Sequence, residues 1–217
     1  MLRVASAYVS CERVGGDLYD VVPLSGDRTV LMVADVAGHG VAAALVTGMI
    51  KTALGATLRD ETDLVAAARA VLDTLAPLSQ QRVITLVLVL VDARQGTIDY
   101  LNAGHPPALV WGGPDGPALL EATTPLLSFG LGLAKEPVRR RPLRPGERLA
   151  LYSDGMYEVR DPAGVEFGRQ RFLETVGASR EPLDALAAKL LDGAVRHAGG
   201  RPPEDDLTLL LAERLPD

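Results

Sequence analysis

An α+β fold, built of antiparallel sheets with helices packed outside, is the class this sequence predicts. Three observations predict it. Segments come grouped as strands, two helices, many strands, two helices and one strand, not in the strict alternation of a parallel fold. The runs "QRVITLVLVLVD" and "GTIDYLNAG" flank a short "ARQG" link, as the arms of a hairpin do. The apolar run Val83 to Val91 has the length and composition of a strand buried on both faces.

Taken in order, residues 3–10 and 17–23 read as short strands, and "RTVLMVAD" (28–35) as a β-branched apolar strand entered through a Gly26-Asp27 turn. From His39 to about Arg59, alanine, leucine and methionine recur at helical spacing. "ETDLVAAARAVLDTLAPL" gives a second helix, capped by Thr62 or Asp63 and closed by Pro77. After the hairpin, "PALVWG" is expected to continue the meander and residues 112–145 to hold loops with short strands. "GERLALYSD" (146–154) reads as a strand ending on a carboxylate. Residues 169–177 and 181–197 should be helical, the second starting at Pro182, and "DLTLLLAERL" should close the fold as a strand.

At 217 residues and 47% hydrophobic content the chain is expected to form a single domain over 1–217. Strand-like "RVASAYVS" almost directly after Met1 suggests a piece of a longer protein, with a sensor or receiver domain as the candidate for the N-terminal portion. Lys and Arg number 22 against 28 Asp and Glu, a net charge of -6, which argues against nucleic acid as a partner. No apolar stretch approaches the ~18 residues of a membrane span, so direct membrane insertion is not expected. The only cysteine, Cys11, cannot form an internal disulfide, and the expected compartment is the cytoplasm.

Carboxylates recur beside glycine or at strand ends: Asp17 and Asp20 in "GGDLYD", Asp35 in "VADVAGHG", Asp154 in "LYSDGMYE", and Asp205 and Asp206 in "PPEDDLTLLL". Anions gathered at such a rim repel one another and bind protons more tightly unless a cation sits between them. Hard oxygen ligands suit Mg²⁺ or Mn²⁺, whereas one cysteine and three histidines are a poor zinc set. Glycine nearby lets the backbone approach, so that a main-chain carbonyl can join the donors.

The motifs "VGGDLYD", "DVAGHGVAAAL", "LNAGHPPAL", "LYSDGMYEVRD" and "DDLTLLL" occur in the order found in the metal-dependent serine/threonine protein phosphatases of type 2C, in the branch acting on bacterial sigma-factor regulators and sporulation proteins. The chain resembles that family from about Val14 to Leu211. The resemblance implies a four-layer α-β-β-α sandwich with two Mn²⁺ or Mg²⁺ ions at one edge. By it, Asp35 looks like the carboxylate bridging both ions, and Val36 like the position whose carbonyl contacts one of them. Asp154 and Asp205 would hold the other ion, Asp206 being a second choice, and Asp17 would bind metal-bound water. The catalytic set is then Asp35 and Asp154, through a water acidified by the two ions.

Arg13 stands near the place where many relatives carry a phosphate-binding arginine, and His39 lies four residues after Asp35, where eukaryotic type 2C enzymes have histidine after two. Both are candidates for substrate contact; for His39 a role at the helix start is equally open. His105 in "NAGHPP" is expected to fix a tight loop. The resemblance further implies a phosphorylated regulatory partner, an anti-sigma factor antagonist, and leaves the oligomeric state open. The competing reading is a degenerate domain that binds such a partner without turnover.

Overall fold

The computed structural model describes residues 1–38, 40–58, 63–76, 83–128 and 130–216. His39, Thr62 and Pro77, singled out above, lie outside the described residues.

Two antiparallel sheets stack face to face. The first holds β2 (Asp17–Leu24), β3 (Arg28–Val36), β4 (Val83–Asp92), β5 (Thr97–Ala103) and β9 (Arg139–Pro142) in that order, with β8 (Leu127–Ser128) beside the start of β4. The second runs β1 (Leu2–Val9), β11 (Leu207–Arg214), β10 (Arg148–Tyr152), β6 (Ala108–Trp111) and β7 (Ala118–Leu120). Helices α1 (Val41–Thr57) and α2 (Leu64–Leu75) cover the first sheet, and α4 (Arg169–Ala178) and α5 (Leu183–His197) the second; the single turn α3 (Gly155–Glu158) follows β10.

The alternation of side chains along the central strands sorts the core into three layers. Val30, Met32, Ala34 and Val36 of β3 face α1 and α2, while Leu31 and Val33 face the other sheet. On β11, Leu207, Leu209 and Leu211 meet α5, and Leu210 and Ala212 meet the first sheet. Strands buried on both faces have no polar side to show, which is why β4 reads as an unbroken apolar run.

The expected α1 starts at Val41, two residues later than the sequence suggests, after Gly40 in a left-handed conformation (φ 75°). Asp63 caps α2, its carboxylate accepting from Val65 N and Ala66 N. One expectation fails: β6 does not continue the meander. The chain turns at Gly104 and His105 and crosses into the other sheet, where β6 pairs β10 and β7. His105, 2% exposed, pins that crossing: its Nδ1 meets Thr85 Oγ1 at 2.8 Å on one sheet, and its Nε2 donates to Tyr152 O at 3.1 Å on the other. Asn102 holds the loop, accepting from His105 N and donating to His105 O and Leu120 O.

The arginine run of β9 is a solvated edge strand with local partners. Arg140 grips Asp99 through two bonds of 2.6 Å, Arg141 approaches Glu147, and Arg144 pairs with Asp115. β1 and β11 pair along their whole length, from Leu2 opposite Arg214 to Val9 opposite Leu207, and Leu215 N donates to Met1 O at 3.0 Å.

Candidate metal centre

Asp17 opens β2 and Asp35 sits near the end of β3, and the two are direct cross-strand partners. Directly opposed residues share a sheet face, and neighbouring odd positions such as Tyr19, Val21, Leu31 and Val33 pack between the sheets. The two carboxylates therefore stand at one end of the inter-sheet gap, a like-charged pair that destabilises the strand pairing unless protonated or countered. Asp154 lies just past the end of β10, and Asp205 and Asp206 just before β11, at the same end of the other sheet.

Their charges reach one another. Burial, with Asp35 and Asp206 adding to it, raises Asp17 to about 8 despite hydrogen bonds from Ser153 and Thr208. Burial first, then Asp154, Asp205 and Asp206, raises Asp35 to about 7. Among the described residues no three His, Cys, Asp or Glu side chains are close enough to hold an ion as they stand. The acids feel a common field without closing on a common point.

The double glycine of "VGGD" fits the backbone to this place. A Cβ on Gly16 would lie 2.7 Å from Val36 O and 2.8 Å from Gly38 O, and one on Gly15 would lie 1.8 Å from Asp206 Oδ2. Val36 N donates to Gly16 O at 3.1 Å, so the end of β3 and the approach to β2 are held in register with the Val36 carbonyl beside them.

The predicted residues divide. Asp17, Asp35, Val36, Asp154 and Asp205 come to one end of the sandwich, with Asp17 and Val36 buried, Asp35 and Asp154 partly so, and Asp205 exposed. Asp206 is buried, and both its oxygens accept main-chain bonds, Oδ1 from Cys11 N at 2.9 Å and Oδ2 from Asp17 N at 3.0 Å. It clasps the loop between β1 and β2 to the start of β11. Arg13 is exposed and forms no ion pair with a described residue. Asp20 pairs with Lys51 at 3.2 Å on α1, away from the other acids.

Sequence reasoning missed Ser153 and Thr208. Thr208 donates its hydroxyl to Asp17 Oδ2, and Ser153 Oγ donates to Asp206 O at 3.2 Å and accepts from Thr208 N at 3.1 Å. Each is polar at a fully buried position in a leucine-rich strand end, and that incongruity was the available signal.

The donors are oxygens, burial and neighbouring acids raise Asp17 and Asp35, and the close approach of Gly16, where a Cβ would lie 2.7 Å from Val36 O, leaves room for a main-chain carbonyl beside them. That set fits a hard divalent ion.

A profile of the stage II sporulation protein E (SpoIIE) family matches residues 25–215. The phosphoserine phosphatase RsbP of Bacillus subtilis is 29% identical over 163 residues, 72% of this chain and 40% of that protein. The crystal structure of the RsbU and RsbW domains of a Mycobacterium tuberculosis protein superposes with a TM-score of 0.85 and 31% identity, covering 99% of this chain and 60% of that one. The catalytic domain of the serine/threonine protein phosphatase PstP, solved with two manganese ions, superposes at 0.68 with 19% identity over 98% of this chain and 97% of that one, a likeness of fold. The chain spans about two fifths of the length of the curated relatives it matches.

Proposed function

The chain belongs to the SpoIIE family of PPM-type, sigma-factor-regulating protein phosphatases, and on that premise we propose that its 217 residues form a single metal-dependent protein serine/threonine phosphatase domain. The substrate is a phosphoserine or phosphothreonine on a regulatory protein, an anti-sigma factor antagonist. The observation that carries the reading is the cross-strand pair of buried Asp17 and partly buried Asp35, two carboxylates placed opposite each other where a structural sheet would put a neutral pair.

Asp35, the Val36 carbonyl, Asp154 and Asp205 would hold two Mn²⁺ or Mg²⁺ ions. Bound there, such ions supply neutralisation of phosphoryl oxygens and a water acidic enough to attack phosphorus near neutral pH. The protein's own part is positional. Thr208 orients the Asp17 carboxylate by donating its hydroxyl to it, and Ser153 holds Thr208 in place by accepting from its main-chain N; Asp17 would then accept from a metal-bound water. Asp206 ties the "VGGD" loop to β11, so that Asp17 and the backbone around Val36 are fixed relative to Asp205. Without cations the acidic end repels a phosphate monoester.

Hydrolysis of p-nitrophenyl phosphate with Mn²⁺, compared with chelator and with Asp154→Asn, tests the proposal. Turnover that depends on both metal and Asp154 supports it. Tight binding of a phosphorylated antagonist with no metal-dependent turnover in the parent protein would instead favour the degenerate, binding-only reading.

A further inference from the structure

On the outer side of the second sheet, α4 and α5 leave between them a groove of about 350 Å³ whose floor and wall include Leu190 and Phe167. Arg171, Lys189, Arg196 and His197 line it, and no carboxylate does among its described lining residues. In a chain of net charge -6 this is a local reversal of sign. Nearby acids engage two of these cations only at the rim: Lys189 meets Glu181 at 2.8 Å and Arg196 lies 4.0 Å from Asp192. Asp161 feels the charge of His197 but is turned into its own loop, accepting from Ala163 N and Val165 N. Arg171 stacks on the Phe167 ring, 4.3 Å from its centroid, and forms no ion pair with a described residue.

The walls are pre-set. His197 Nε2 donates to Val165 O at 2.9 Å with its ring edge-on to Phe167, and Phe167 N donates to Val159 O at 2.9 Å. Within α5, Gly193 lines the groove, and a Cβ there would meet nothing within 4 Å. Glycine inside a helix costs up to about 1 kcal/mol against alanine. A side chain at this position would project into open space, so the glycine keeps the groove unobstructed.

We propose that this groove is a docking site for an acidic segment of a protein partner, an apolar side chain seated on Leu190 and Phe167 with flanking Asp or Glu at Arg171 and Arg196. Charge complementarity selects the acidic character. The apolar floor and the confined volume select a peptide over a nucleic acid or a lipid surface. None of Asp17, Asp35, Asp154 and Asp205 lines the groove, and the proposal does not rest on the phosphatase reading.

The test uses the whole chain in chelator, with a fluorescein-labelled peptide of alternating Asp and Glu around one leucine, read by anisotropy. Binding is expected for this peptide and not for its Lys counterpart. It should weaken steeply with salt, and at least about tenfold in Arg171→Ala/Arg196→Ala and in Gly193→Glu. The thermal melt of Gly193→Glu should match the parent, since a side chain there meets no packed neighbour, whereas Arg171→Ala/Arg196→Ala gives up the stacking on Phe167 and should stay folded with a slightly lowered melting temperature. Absence of binding by the parent, or binding indifferent to both variants, overturns the proposal. So does tighter binding of a short RNA or of phosphatidylglycerol vesicles through the same residues, which would assign the groove to a different class of partner.

Discussion

The two ends of the sandwich handle buried charge in opposite ways. At one end β10 finishes just before Asp154 and β11 begins just after Asp205 and Asp206, and there burial with neighbouring acids raises the cross-strand pair, Asp17 to about 8 and Asp35 to about 7. At the other end stand Glu147, just before β10, and Arg214, the last residue of β11, both buried and both satisfied. Glu147 accepts from Arg144 N at 2.6 Å and lies 3.5 Å from Arg141 Nη2; Arg214 donates to Ala93 O at 3.1 Å and Leu143 O at 2.9 Å, bridging the sheets. Where the chain needs only to stay folded, each charge finds a partner of its own. Where the partners are like charges, the arrangement makes sense as a place for something brought from outside.

The sharpest way to break the contrast is to neutralise the acidic end. Asp35→Asn or Asp154→Asn should lower Mn²⁺-dependent hydrolysis of p-nitrophenyl phosphate by about 10³-fold or more, with the melting temperature in chelator unchanged or raised. A variant that loses activity only by unfolding would mean the acids serve the fold.

Next in size is the pH dependence of the metal-free protein. Carboxylates raised in the folded state stabilise it fully below their unfolded value, near 3.8, and that contribution is lost as pH rises through the folded values of about 7 and 8. In chelator the melting temperature should therefore fall between about pH 4 and 8, each carboxylate contributing up to about 1.4 kcal/mol per unit. Asp17→Asn should flatten the decline, and Mn²⁺ should reverse it with release of protons. A flat profile in the parent would show that the acids are not coupled.

At the opposite end, Arg214→Ala leaves the carbonyls of Ala93 and Leu143 without their donor. It should cost about 3 kcal/mol, read from urea melts, with kcat per folded molecule unchanged. Midway between the ends, burial pushes His105 down to about 3. A histidine lowered in the folded state stabilises above its unfolded value of 6.5, and that stability is lost as pH falls toward the folded value. His105→Gln, which keeps a polar group in the crossing, should cost about 1–2 kcal/mol at pH 7 and lessen the acid sensitivity below pH 6. An unchanged acid limb would show that His105 is not what acid attacks.

Much of this was legible in the residues. β3, β4, β10 and β11 announced themselves because a two-sided core demands long apolar runs, and the carboxylates stood out because each interrupts such a run. The meander was misread at β6, since local turn chemistry around Asn102 and Gly104 says that the chain reverses but not which sheet receives it. α3 was invisible: four residues carry no periodicity. The role of Asp206 was hidden for another reason. Two adjacent aspartates look alike in sequence, and only the packing of the double glycine against one of them, with the amides of Cys11 and Asp17 pointing at it, tells them apart.

The pairing of β1 with β11 brings the first and last described strands side by side, with Met1 bonded to Leu215 beyond the Arg214 bridge. Any segment joined to either of these strand ends would leave from that pole, some 25 Å of strand away from the acidic end at about 3.4 Å per residue. The same closeness makes circular permutation natural: a short linker joining the ends, with new termini opened in the Arg94–Gly96 turn, would preserve both sheets.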